Sequence, residues 1–196
     1  PHAMAAPFEL FSGRTSGSCC RLHEQLWGRI LPGNVQEIHL QINQGAKLGV
    51  LTQGSNRIYK QRGTATSPIP AKSTLHARVE QDAFLVVAPD PTACFATSSF
   101  EQAQNLLVHP SASVILLDWF SSGRFANGER WQGAKCSSQT QLKLMGEDDP
   151  LVWDATTLDQ KLIGSLTHKQ NSFGFDLGNQ SFNAYASMLL YGEQTL

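Results

Sequence analysis

A ten-residue pattern recurs three times in this chain, and recurrence constrains architecture before any local preference does. Ile42-Asn43-Gln44-Gly45-Ala46-Lys47-Leu48-Gly49-Val50-Leu51 lies over Val79-Glu80-Gln81-Asp82-Ala83-Phe84-Leu85-Val86-Val87-Ala88. Both lie over Val108-His109-Pro110-Ser111-Ala112-Ser113-Val114-Ile115-Leu116-Leu117. Each copy reads as the end of one strand, a tight polar turn, an inward alanine where the chain packs closely, and a new strand with apolar residues two apart. The copies begin 37 and then 29 residues apart, so they do not form a strict solenoid. Units of this kind still stack edge to edge and share one core. The expectation is a mainly β fold of stacked strand-turn-strand units, a β-helix-like helicoid, with two or three short helices.

Helical signals are thin. Ala184–Leu190 has spaced apolar residues compatible with two turns, and Ser98–Leu107 contains a helix-tolerant Phe100-Glu101-Gln102-Ala103-Gln104 stretch that also suits an extended edge. Ser12–Ser18 and Gly63–Pro70, rich in Gly, Ser and Pro, read as loops rather than domain linkers.

The 196 residues suit a single domain, residues 5–196, behind a Pro1-His2-Ala3-Met4 start that looks like a cloning remnant. Charged residues make up only 16%, and the net charge is -1 with no concentrated basic patch. A nucleic-acid or membrane-surface partner is therefore not expected. No apolar run approaches the ~20 residues that span a bilayer. Cys19, Cys20, Cys94 and Cys136 have neither CxxC spacing nor the density of a secreted scaffold. Reduced thiols in a cytoplasmic protein are the expectation.

The search for catalytic chemistry returns absences: there is no phosphate loop, nucleophile elbow, zinc-protease helix, dinucleotide fingerprint or calcium loop. His23, His39, His76, His109 and His168 lack an i,i+4 partner, so each reads as an ordinary histidine. The vicinal Cys19-Cys20 has no further ligands near it in sequence. Pro89-Asp90-Pro91 leading to Cys94 reads as a turn between strands.

Acidic residues inside apolar stretches are more informative. Asp118 sits between Val114-Ile115-Leu116-Leu117 and Trp119-Phe120, Asp154 ends Leu151-Val152-Trp153-Asp154, and Glu129 lies in Gly128-Glu129-Arg130-Trp131. A buried carboxylate costs several kcal/mol unless it is paired, hydrated or bound to a cation. Two readings follow. Asp118 or Glu129 pairs with Arg124 or Arg130 and fixes a turn; or the three acids are hard oxygen ligands along a wet interior path for a hydrated divalent ion. A rival reading takes two of Asp90, Asp118 and Glu129 as acid and base of a β-helical carbohydrate-processing enzyme. Another takes the chain as a purely structural adaptor.

Leu48-Gly49-Val50-Leu51-Thr52-Gln53-Gly54-Ser55-Asn56-Arg57-Ile58-Tyr59-Lys60, the Pro89-Asp90-Pro91 turn, and Asp118-Trp119-Phe120-Ser121-Ser122-Gly123-Arg124 running into Gly128-Glu129-Arg130-Trp131 resemble the urease accessory protein family UreD, also called UreH. Asp149-Pro150-Leu151-Val152-Trp153-Asp154 and Ser181-Phe182-Asn183-Ala184-Tyr185-Ala186 fit as well, and the resemblance spans Leu26 to Leu190. It implies a non-enzymatic maturation factor: a β-helicoid scaffold that joins UreF and the GTPase UreG, docks on apo-urease, and offers an internal passage to a transient nickel ion, with no tightly bound cofactor. By position, Asp118 and Asp154 match acidic sites associated with that passage, and Glu129 is the third candidate. Leu26–Asn34 keeps only part of the family's Gly-rich stretch and ends in Asn34 where members carry an acid. Family members continue beyond the position of Leu196, so the resemblance also implies that the C-terminal part is lacking.

Overall fold

The computed structural model describes residues 8–9, 29–52, 54–60, 69–129, 131–158 and 183–193. Two sheets face each other. One holds, in spatial order, β1 (Phe8–Glu9), β3 (Val35–Ile42), β6 (Ala71–Val79), β9 (Ser99–Val108), β11 (Lys135–Leu144) and β12 (Pro150–Leu158). The other holds β2 (Arg29–Ile30), β5 (Asn56–Ile58), β8 (Thr92–Cys94), β10 (Ser113–Ser121), β7 (Phe84–Ala88) and β4 (Lys47–Leu51), with β13 (Ala184–Tyr191) paired to β10.

The three sequence copies explain this winding. Each carries the chain from the first sheet to the second, from β3 to β4, β6 to β7 and β9 to β10, and each strand pairs parallel with one laid down a unit earlier. Ile42 is the register partner of Val79, and Val79 of Val108. Leu48 likewise partners Leu85, and Leu85 partners Val114. The turn repeats in the same way: Ala46, Ala83 and Ala112 each donate an N–H to the carbonyl three residues back, on Asn43, Glu80 and His109. Ala83 and Ala112 are fully buried, as an inward alanine at a tight corner requires.

Ile42, Val79 and Val108 are buried in a single row, and burying a side chain of this size contributes about 1.5–3 kcal/mol over leaving it exposed. A one-residue slip would turn that row outward and bring polar neighbours inward, so burial enforces the register.

The short helices expected from sequence do not form among the described residues, where helical structure is one 3-10 turn, Phe125–Asn127. Ala184–Leu190 lies in β13, antiparallel to β10, with exposure alternating at period two. Pairing of all eight β13 residues with β10 outweighs a weak local helical preference. Ser99–Val108 is an interior strand between β6 and β11 rather than an edge. Ser12–Ser18, Cys19-Cys20, His23, His168 and most of the Gly63–Pro70 loop lie outside the described residues.

The expectation of reduced thiols is corrected for Cys94 and Cys136. Cys94 on β8 and Cys136 on β11 form a disulfide that ties one sheet to the other. The two cysteines are 42 residues apart in sequence, and only the winding makes them neighbours. No helix among the described residues is long and apolar enough to cross a membrane.

Candidate functional site

Two apolar clusters fill the space between the sheets, and a polar stratum separates them. One cluster contains Ile42, Val79, Val108, Leu116 and Leu142; the other contains Ile58, Phe100, Phe120 and Cys136. The stratum follows from where polar residues fall in the inward phase of each strand. On β6 that phase runs Ala71, Ser73, Leu75; on β9, Phe100, Gln102, Gln104, Leu106; on β11, Cys136, Ser138, Thr140, Leu142; and on β10, Phe120, Asp118, Leu116. Register then aligns the polar positions across strands. Ser73 partners Gln102, Gln102 partners Ser138, and Ser138 partners Thr156. One step along, Gln104 partners Thr140 and Thr140 partners Asp154.

Asp118 is the acidic centre of this stratum. It is 8% exposed and accepts hydrogen bonds from Gln102 Nε2 at 2.8 Å and Ser138 Oγ at 2.5 Å. Both donors come from the facing sheet, so the carboxylate joins the two layers. Burial pushes the Asp118 carboxyl above the usual carboxylate range; the Ser138 and Gln102 hydrogen bonds pull it down, and the negative charge of Asp154 adds to the rise. Gln104 Nε2 and Thr140 Oγ1 pair at 3.4 Å, and the Thr156 and Tyr185 hydroxyls at 2.9 Å, which keeps the layer hydrogen-bonded.

Asp154 shares a cavity with Asp118. A half-open space of about 450 Å³ is lined by both acids with Thr140, Tyr185 and Ser187 and by the apolar Leu116, Met188, Leu189 and Leu190. Asp154 is exposed on β12, at the edge of its sheet, whereas Asp118 lies buried. Asp118 also borders a smaller cavity of about 30 Å³ lined by Asn56, Ser73, Thr92, Gln102 and Gln104, the size of one water molecule. The polar stratum thus runs from interior to surface with one acid buried and one at the mouth.

Glu129 is placed elsewhere. Its Oε1 pairs with the Arg124 guanidinium, whose Nε lies at 2.9 Å, and its Oε2 accepts backbone N–H bonds from Ala96 at 3.2 Å and Arg124 at 3.4 Å. The Arg124 hydrogen bond holds the Glu129 carboxyl below its ordinary range, with burial opposing and the Ala96 and Arg124 amides assisting. Neither of these two cavities is lined by Glu129. Asp90 is also outside them: it accepts from Thr52 Oγ1 at 3.1 Å and from the Gly54 N–H at 2.6 Å, stapling one turn to the turn of the preceding unit. Asp90, Asp118 and Glu129 therefore do not form the paired carboxylates an acid–base mechanism needs.

Sequence reasoning passed over Gln102, Ser138 and Thr140, because Ser, Thr and Gln are abundant and only register turns them inward together. It also dismissed His39 and His76. They are direct register partners on β3 and β6, and Glu37 lies on the same face.

The family model for UreD, urease accessory protein, matches residues 15–196. Urease accessory protein D of Oryza sativa subsp. indica is 29% identical over 193 residues, covering 98% of this chain and 58% of its own length. Urease accessory protein D of Arabidopsis thaliana is 32% identical over 165 residues, covering 84% of this chain and 51% of its own. Urease accessory protein UreD of Sorangium cellulosum is 31% identical over 169 residues, covering 86% and 51%. The chain spans about half the length of the curated relatives it matches. On the match across nearly all of its residues, the chain belongs to the UreD urease accessory protein family.

Proposed function

We propose that this chain is a urease maturation scaffold that passes nickel through the polar stratum between its sheets, acting on a transient cargo rather than as a catalyst. The observation that carries the reading is the shared cavity of Asp118 and Asp154, because two acids flanking one space favour a cation in it: the cation relieves their mutual repulsion and replaces the water lost from the buried carboxylate. The oxygen donors around the cavity are carboxylates and hydroxyls, set beside Leu116, Met188, Leu189 and Leu190, and such oxygens hold a hydrated divalent ion weakly enough to release it. The space suffices for an ion with its water shell, roughly 200 Å³ at about 30 Å³ per water. Family membership supports urease as the destination, with UreF and UreG as the proteins that hand over the ion. Glu129, committed to Arg124 and two amides, serves in this reading to hold the loop that follows β10.

The test is urease activation with nickel limiting, in cells supplying urease and the other accessory proteins. Asp118→Asn combined with Asp154→Asn is expected to lower activation while UreF is still captured. Normal activation by the double variant would refute the passage and favour a purely structural adaptor.

A further inference from the structure

On the outward face of the first sheet, opposite the polar stratum, three potential ligands converge. His39 and His76 are directly paired on β3 and β6, and their rings stack with centroids 4.9 Å apart and planes 16° apart. Glu37 stands two residues before His39 on the same face. Its Oε1 is 3.2 Å from His39 Nε2 and 3.5 Å from His76 Nε2, and the three ligand atoms all lie within 4.8 Å of one another.

We propose that Glu37, His39 and His76 form a surface site for an exchangeable divalent transition ion of the nickel or zinc class, distinct from the Asp118–Asp154 cavity. Imidazole and carboxylate donors sit about 2.0–2.2 Å from such an ion, so two ligand atoms on one ion are roughly 3.0–3.4 Å apart. The two carboxylate–imidazole distances are already close to that range. The remaining nitrogen–nitrogen gap, under 4.8 Å, is one that two half-exposed rings have room to close by rotation. The backbone is fixed independently, since β3 and β6 are flanked by β1 and β9. Two imidazoles with one carboxylate select borderline transition ions over magnesium or calcium, which prefer oxygen donors. Three protein ligands leave positions open to water or to a donor from another molecule, which makes the ion exchangeable. The competing arrangement is a carboxylate that merely hydrogen-bonds two histidines.

The experiment titrates the full chain, free of any histidine tag, with nickel and then zinc against a chromophoric chelator. The wild type is expected to bind one ion more than His39→Gln/His76→Gln, and Glu37→Gln to bind that ion more weakly. Asp118→Asn/Asp154→Asn is expected to retain it, so failure of the passage and failure of this site are separable. Excess magnesium should not displace the ion. Because the histidine variants alter the fold's surface, a second reading uses the wild type alone: the first equivalent of paramagnetic nickel should broaden the ring proton signals of His39 and His76. Equal binding by the histidine variants, displacement by magnesium, or sharp His39 and His76 signals at one equivalent would each overturn the proposal.

Discussion

Ser138 on β11 donates a 2.5 Å hydrogen bond to Asp118 on β10, bridging the gap between two sheets that meet elsewhere through apolar side chains. Burial nevertheless wins over this bond and leaves the Asp118 carboxyl raised, so folding favours the protonated form more than the unfolded chain does. The sign follows from linkage. The stabilising contribution of the protonated group is fully present below the unfolded value, near pH 4, and is lost as pH rises through the folded value. Asp118→Asn keeps the size and the Gln102 contact but cannot ionise. With chelator present, its stability relative to wild type should improve as pH rises from about 4 and level off above the folded value. Ser138→Ala should go the other way, costing about 1–2 kcal/mol at neutral pH by leaving a buried carboxylate short of a donor. Urea unfolding across the pH series checks both; a pH-independent gap between Asp118→Asn and wild type would contradict the assignment.

Glu129 should show the opposite pH dependence. Its carboxyl is held low, chiefly by Arg124, so its contribution is present above the unfolded value, near pH 4.3, and is lost as pH falls through the folded value. Arg124→Ala leaves Glu129 with only two amide donors and should lower stability at neutral pH. The half-exposed guanidinium keeps this below the cost of breaking a fully buried pair. Once the pH has fallen below the folded value, the variant and wild type should converge, because both then carry a neutral Glu129. Denaturant midpoints at neutral and acid pH are the measurement, and a deficit that persists in acid would show that Arg124 acts through packing on Phe95 instead.

Much of the fold was legible because the repeat carries its own register: the aligned Ile42, Val79 and Val108 are the residues that pair in space. Asp118 and Asp154 were legible because an acid in an apolar run needs a reason. The neutral half of the stratum was not, since a serine such as Ser138 reveals nothing until its strand is placed beside Gln102 and opposite Asp118. His39 and His76 are instructive in another way. Their separation equals the 37-residue offset of the first two copies, so their pairing was present in the sequence but hidden by reading histidines at helical spacing. The Cys94–Cys136 bond joins opposite sheets, and no linear spacing encodes that contact. Ala184–Leu190 went astray because seven residues support either period until a neighbouring edge is known.

The Gly-Arg that follows β10 offers a sharper test of how closely the units pack. Gly123 has φ +96°, and a Cβ there would lie 2.9 Å from the Cys94 carbonyl oxygen and 3.4 Å from Glu129 Oε2. Gly128, five residues later, has φ +77° but would place a Cβ within 4 Å of nothing. Both alanine variants incur the backbone cost of a left-handed residue, about 1–2 kcal/mol. Only Gly123→Ala must also push against backbone that the Cys94–Cys136 bond holds in place. Gly123→Ala should therefore lose clearly more stability than Gly128→Ala in urea unfolding, and the difference should shrink when Cys94 and Cys136 are reduced, because the opposing strand can then retreat. Equal losses for the two variants would mean that the close approach of Gly123 to Cys94 does not constrain the fold.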